Sequence, residues 1–109
     1  MNPLDDQERR DAQDAEERRT ARLRAAQFRS DVQAVLAEPA GRRVLWAFLC
    51  ESGADVSPLR ADNLTTGHAI GWQDAAGWWV NAMRAHCPER EAQMRAEARK
   101  DLKQEASDD

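Results

Sequence analysis

The chain has 109 residues, of which 33% are charged and 41% are apolar, and its formal net charge is −4 at pH 7. This length holds one small domain. The longest apolar run, Val44–Cys50, has seven residues, far short of the roughly 20 that a membrane-spanning helix needs. The acidic balance gives no general attraction to nucleic acid, and the polar N-terminus does not resemble a secretory signal. Two cysteines are too few for a disulfide framework, so they favour a reducing compartment.

Charge density divides the chain into three segments. Fifteen of the first 31 residues are charged, and so are twelve of residues 88–109. Only nine charged residues occur in residues 32–87, which hold all four tryptophans. We therefore predict a polar arm over residues 1–26 that is helical or partly disordered, a helical core domain over residues 27–88, and a polar helix with a disordered tail over residues 89–109.

Good helix formers dominate Asp5–Ala26, which predicts a first helix with few apolar residues to bury. Further along, Phe28, Val32, Val35 and Leu36 recur at the spacing of one helical face. Pro39 should break the helix, because the residue before a proline is pushed out of the α region.

A second helix is predicted from Gly41 to about Glu51. It is apolar on nearly every side, which indicates that neighbours or a partner chain bury it, Cys50 included. Gly53 is suited to end this helix. Residues 52–64 read as a loop with a turn at Ser57-Pro58.

A third helix should begin at a capping Thr65 or Thr66 and run to about His86. Its stronger apolar stripe holds Trp72, Ala76, Trp79 and Met83, and its glycines (Gly67, Gly71 and Gly77) suggest close approach by another backbone. Pro88 suits the first turn of a fourth helix over Glu89–Glu105, with only a thin apolar edge. The prediction is an all-α fold, a small bundle of three to four helices with polar helical arms at both ends.

The sequence holds no recognisable catalytic, cofactor-binding or metal-binding pattern. His68 and His86 are the only histidines, and His86-Cys87 with Cys50 lacks the spacing of a zinc site. Phosphate-binding loops, dinucleotide-binding fingerprints and serine-nucleophile motifs do not occur. We therefore expect a protein that is not an enzyme and uses no cofactor.

Two sets of arginines are candidates for contacting phosphates. Five arginines and no acidic residue occur between positions 18 and 29, and a further pair follows Gly41 near the start of the second helix. The alternative is that the first set forms ion pairs with carboxylates of the same arm, and that the pair forms a salt bridge to Glu38, Asp31 or the fourth helix. The arm candidates are Arg18, Arg19, Arg22, Arg24 and Arg29, and the second set is Arg42 and Arg43.

The tryptophans are candidates for protein–protein contact. Trp78 and Trp79 are consecutive and point about 100° apart on a helix, so one packs inside the domain and the other needs a second surface. The alternative is that the terminal helices cover both. The candidate interaction residues are Arg42, Arg43, Trp46, Trp72, Trp78 and Trp79.

Residues 35–49, with Gly41-Arg42-Arg43-Val44-Leu45-Trp46 at their centre, resemble the opening of a small tailed-phage family, the Bbp-nineteen-like phage domain. Family members continue with a short Cys/Ala-Gly end, a glycine-rich helix and a Met-x-x-Glu stretch, which Cys50–Gly53, Gly67–Gly77 and Met94–Glu97 match. The resemblance covers residues 28–98. In place of the family's Glu-Gly-x-Arg-x-x-Gly motif, this chain reads His68-Ala69-Ile70-Gly71-Trp72-Gln73-Asp74, with Gly77 in the place of the later glycine. The role of the motif's arginine is therefore not carried over.

The resemblance implies a phage-encoded protein associated with head and packaging functions. We expect a small helical interaction protein, a minor virion or packaging-accessory component found in the host cytoplasm during assembly, with the virion as a further candidate location. Its expected partners are other phage structural or packaging proteins, a second copy of the chain being a further candidate, and no membrane. The alternatives are a nucleic-acid-binding packaging accessory and a regulator of a host protein.

Overall fold

A computed structural model describes residues 2–53 and 62–107, which form four helices. The predicted all-α class with three to four helices is confirmed. The turn predicted at Ser57-Pro58 lies outside the described residues. In chain order the helices are α1 (Pro3–Ala37), α2 (Pro39–Glu51), α3 (Asn63–His86) and α4 (Pro88–Ser107).

The chain divides into two compact units, residues 1–31 and residues 32–109. The first unit is the polar part of α1, which continues through Ala26 without a break. The second unit holds the last turns of α1 and the other three helices, so the polar α4 belongs with the core helices.

The junction between α1 and α2 is set by Pro39 and Gly41. Glu38 is extended (φ −89°, ψ 133°), as expected before a proline, and Pro39 occupies the first turn of α2. The helix thus begins two residues earlier than predicted. A Cβ added to Gly41 would collide with the backbone carbonyl of Val35. Glycine is therefore required here because the last turn of α1 presses directly on α2.

The core of the second unit lies between α4 and the helices α2 and α3, with the end of α1 completing it. Its apolar residues come one or two from each helix, which fits their sparse apolar stripes. Trp46, Phe48, Trp79 and Val80 pack against it while partly buried. The buried apolar residues are Val32, Leu36, Leu45, Leu49, Ala76, Met83, Cys87 and Met94.

Four apolar residues predicted to be buried are exposed within the described structure. Phe28 and Val35 are exposed, so only Val32 and Leu36 of the predicted α1 face reach the core. On α2, Val44 is 72% exposed and Cys50 is exposed, because the helix packs on one side only. Neighbouring helices of the chain therefore bury only one side of α2, and burial of its other side by a partner chain stays a prediction.

The ends of α3 are defined by residues next to those predicted. Asp62 caps the N-terminus, because its carboxylate accepts hydrogen bonds from the backbone N–H of Thr65 at 2.7 Å and from its hydroxyl at 2.8 Å. These bonds lower the pKa of Asp62 below its ordinary value. The cap predicted at Thr65 or Thr66 was wrong. Gly53 follows α2 with φ of 67°, which confirms it as that helix's stop.

Candidate functional site

Arg42, a candidate for contacting a partner, is a buried part of the fold. Only 5% of it is exposed. Its Nε and Nη2 donate to the two carboxylate oxygens of Glu97 on α4, at 2.6 and 3.3 Å. Its Nη1 donates to the backbone carbonyls of Leu36 and Ala37, at 2.8 and 3.0 Å. The guanidinium thereby joins three helices and satisfies two carbonyls at the end of α1 that lack helical partners.

For Arg42 and Arg43, the sequence left open a salt bridge to the fourth helix as the alternative to a partner contact. Arg42 forms this salt bridge with Glu97. Hydrogen bonding from Arg42 is the main cause that holds the pKa of Glu97 below its ordinary value. Arg43 is exposed and remains a candidate for a partner. The cleft that both arginines line beside Trp46 has a volume of about 30 Å³, which admits water but no metabolite-sized ligand.

Two of the four candidate tryptophans are parts of the core rather than exposed anchors. Trp46 and Trp79 are partly buried and pack against the core. The guanidinium carbon of Arg95 lies 5.4 Å from the ring centre of Trp46, in cation–π contact. Trp46 and Trp79 are therefore assigned to stability and not to docking.

Trp72 keeps 41% of its surface exposed. Its ring lies 6.1 Å from that of Phe48, and its Nε1 donates to Nε2 of His68 at 2.7 Å. The bond to His68 holds the indole beside Phe48 of α2. Trp72 is thus exposed but held in a fixed orientation.

Trp78 is the most exposed tryptophan, at 54%. Its ring meets that of Trp79 edge to face, with centroids 5.1 Å apart. This arrangement agrees with the expectation that one of the two consecutive tryptophans packs inside and the other faces outward. The core ring of Trp79 supports the outward ring of Trp78, so the exposed indole is held in position.

Trp78 stands on a face of α3 that has little charge, which we call the outer face of α3. Its residues recur at spacings of three and four, and all are exposed. Added Cβ atoms at its glycines would meet nothing within 4 Å in the described structure, so the predicted close approach of a backbone is found at Gly41 and not here. The outer face of α3 comprises Leu64, Gly67, Gly71, Asp74, Trp78, Asn81 and Ala85.

The arm arginines are all exposed along α1. One ion pair joins Arg19 to Glu16 at 3.3 Å. Asp11 and Asp31 instead accept hydrogen bonds from Gln7 and Gln27. Within the described residues no ion pair involves Arg18, Arg22, Arg24 or Arg29, so the predicted pairing along the arm holds for Arg19 alone.

The part of the chain that the structure describes brings no metal-binding group together. The described residues contain no cluster of three or more His, Cys, Asp or Glu side chains that could hold an ion. Cys87 is buried, and burial raises the pKa of its thiol, whereas Cys50 is exposed. The prediction of Cys50 as a buried core thiol was wrong because α2 turns this position away from the core.

Comparison of the chain with protein-family models, with curated proteins and with solved structures gave no match in any of the three. Among the described residues, no helix is both long enough and apolar enough to cross a membrane.

Proposed function

We propose that this chain is a non-catalytic interaction protein that binds another protein through the outer face of α3. The observation that carries the proposal is Trp78, an indole that is 54% exposed yet held edge-on by a core tryptophan. Exposed tryptophans in fixed positions are typical anchors of protein–protein interfaces.

The composition of α3 supports this proposal. One third of the chain is charged, yet Asp74 and Arg84 are the only Asp, Glu, Lys or Arg residues among the 24 of this helix. Leu64, 86% exposed, lies on the same outer face as Trp78. A surface of low charge with aromatic and aliphatic side chains is the composition found at the centre of interfaces.

The biological setting that we propose is tailed-phage assembly, as a minor virion or packaging-accessory component. This part rests on the resemblance of the segment around Gly41–Trp46 to the Bbp-nineteen-like phage domain. Quantitative mass spectrometry of purified virions, from a phage whose genome encodes the chain, tests the setting. A defined copy number relative to the major capsid protein supports a virion component, whereas absence from particles contradicts it and directs attention to packaging or host proteins.

A second experiment tests the outer face of α3 as a docking surface, independently of the proposed role in phage assembly. A photo-crosslinking amino acid at position 81, beside Trp78 on the outer face of α3, should capture one particle protein. Trp78→Ala should abolish this product and weaken binding of that protein by at least about 2 kcal/mol. Val44→Ala, which truncates an exposed apolar residue on α2, is the matched control and should leave the product unchanged. Equal loss in both variants, or loss in neither, would contradict docking through α3.

A nucleic-acid-binding accessory is the second candidate, because the arm arginines are exposed and four of them form no ion pair in the described structure. Its signature is affinity for duplex DNA that falls steeply as salt rises. Binding that is undetectable at low salt removes this candidate. A regulator of a host protein, the third, would be supported by a stoichiometric host partner whose binding requires Trp78.

A further inference from the structure

The first unit of the chain is a helical segment with almost nothing packed on it. Every described residue from 2 to 31 is exposed except Asp6 and Thr20, which are partly buried. A lone helix that is polar all round gains little from burial, so side-chain pairs or a partner have to stabilise it. The contacts on this segment include the ion pair from Arg19 to Glu16 and hydrogen bonds of its glutamines and N-terminus.

The charges of this segment are separated along its length. Residues 3–17 hold seven acidic and two basic residues, a net charge of −5. Residues 18–30 hold five arginines and no acidic residue, a net charge of +5. The two halves therefore carry equal and opposite charge, and the sign changes between Glu17 and Arg18.

One face of the helix carries both signs. Asp11, Asp14, Arg18, Arg22 and Arg29 follow one another at spacings of three, four, four and seven, which places them on the same side of α1. We call this side the charged face of α1. Its three arginines make no ion pair within the described residues, although Asp14 and Arg18 are four residues apart. Their charges are thus available to a partner.

We propose that two copies of the chain pair through the charged faces of α1, with the helices antiparallel. A two-fold axis near Glu16 and Glu17 places Asp11 of each copy opposite Arg22 of the other, and Asp14 near Arg18 of the other. Each contact then occurs twice, as a two-fold symmetric interface requires. The small side chain of Ala15 lies beside the axis and lets the helices approach.

The charge pattern favours a second copy over nucleic acid as the occupant of this face. A phosphate backbone that follows the arginines would run into Asp14 and Asp11 on the same face, and like charges suppress binding. An antiparallel copy meets each arginine with a carboxylate instead. This surface is separate from the outer face of α3, so the two proposals stand or fall independently.

The experiment uses charge reversal in the full chain and measures mass in solution by analytical ultracentrifugation. The wild-type chain should dimerise at high micromolar concentration in low salt, and salt should dissociate the dimer. Asp11→Arg or Arg22→Asp alone places like charges opposite each other at two symmetric sites. Each should raise the dissociation constant about tenfold or more. Both positions are exposed, and circular dichroism confirms that helicity is retained.

Two further measurements distinguish pairing from an effect on the helix itself. The double variant Asp11→Arg/Arg22→Asp should recover the wild-type dimer, and a mixture of the two single variants should form a heterodimer that neither forms alone. Arg24→Asp, which reverses an exposed arginine off the charged face, is the control and should change the dissociation constant less than either single variant.

Several outcomes would overturn the pairing of two copies through α1. If the wild-type chain is monomeric in low salt, or if the two single variants form no heterodimer, the charged faces of α1 do not hold two copies of the chain together. Salt-sensitive binding of duplex DNA that Arg22→Asp abolishes, in a chain that stays monomeric, assigns the arginines to nucleic acid instead. A dimer that survives both charge reversals but is lost in Trp78→Ala places the contact on α3.

Discussion

Arg42 on α2 and Glu97 on α4 form a paired hydrogen bond, Nε to Oε1 at 2.6 Å and Nη2 to Oε2 at 3.3 Å. The same guanidinium donates to two carbonyls at the end of α1. A planar group with several fixed donors can serve all of these acceptors at once, which a lysine ammonium could not do with the same geometry. This one side chain thereby fixes the end of α1, the start of α2 and the middle of α4 relative to one another.

Arg42→Ala should destabilise the second unit by about 2–4 kcal/mol, since it leaves buried carbonyls without donors. Urea denaturation followed by circular dichroism measures this loss. Arg43→Ala removes the neighbouring exposed arginine and should change the free energy of unfolding by less than about 0.5 kcal/mol. Similar losses in the two variants would show that burial of Arg42 does not determine its contribution.

Acid should destabilise the fold through Glu91 and Glu97. Hydrogen bonding to Arg84 lowers the pKa of Glu91, and hydrogen bonding to Arg42 lowers the pKa of Glu97, each from an ordinary value of 4.5. In the unfolded chain both carboxylates take up protons at a higher pH than in the folded chain. Their contribution to stability is therefore fully present above pH 4.5 and is lost as the pH falls through the lowered pKa of the folded state.

Denaturation curves between pH 6 and pH 3 test this dependence. The free energy of unfolding of the wild-type chain should fall across that range, and Glu97→Gln should make its fall shallower. Glu105→Gln, at an exposed position on α4, is the control and should leave the slope as it is. An identical slope in Glu97→Gln and the wild-type chain would contradict the assignment.

Two glycine-to-alanine substitutions should have opposite effects. Gly41→Ala forces a Cβ into the carbonyl of Val35 and should destabilise the fold by at least about 2 kcal/mol. Gly71→Ala adds a Cβ to open space within a helix and should stabilise it by about 0.5–1 kcal/mol. Thermal unfolding of both variants shows whether each substitution raises or lowers the stability of the fold. A destabilising Gly71→Ala would indicate that α3 is strained at this residue.

Substitution of the adjacent Trp78 and Trp79 should distinguish the indole that stabilises the fold from the indole that is available for docking. Trp79→Ala removes an indole that packs on the core and should cost about 2–4 kcal/mol of folding stability. Trp78→Ala removes a half-exposed indole and should cost about 1 kcal/mol, mainly through the lost edge-to-face contact. Chemical denaturation of both variants checks the difference. A Trp78→Ala chain as unstable as Trp79→Ala would assign both indoles to the core.

The fold class could be predicted from the sequence because helix signals are local. Pro39, Gly53 and Pro88 act through their own backbone geometry, so the breaks that they impose are where the sequence places them. The exact caps depend on competition between neighbours. Asp62 caps α3 in preference to either following threonine, because a charged carboxylate accepts two hydrogen bonds there.

The assignment of site residues could not be read from the sequence, because it depends on which side of a helix meets another helix. Arg42 and Arg43 are equivalent in sequence, yet within the described residues it is Arg42 that is buried and hydrogen-bonded to Glu97 on α4, whereas Arg43 is exposed. Cys50 follows a run of apolar residues, yet it lies on the exposed side of α2. One part of the signal is present in the sequence: consecutive Trp78 and Trp79 cannot point the same way, which predicts that one packs inside, although the sequence leaves open whether the terminal helices cover the other.

The reactivity of the two thiols can report how often α3 and α4 separate in the folded chain. Cys50 is exposed and should react at once with a thiol reagent, whereas Cys87 lies in the core at the point where α3 passes into α4, and burial raises the pKa of its thiol. Cys87 can be modified only when those two helices separate. In a Cys50→Ser chain, the rate of modification at Cys87 therefore measures how often the α3–α4 hairpin opens under native conditions.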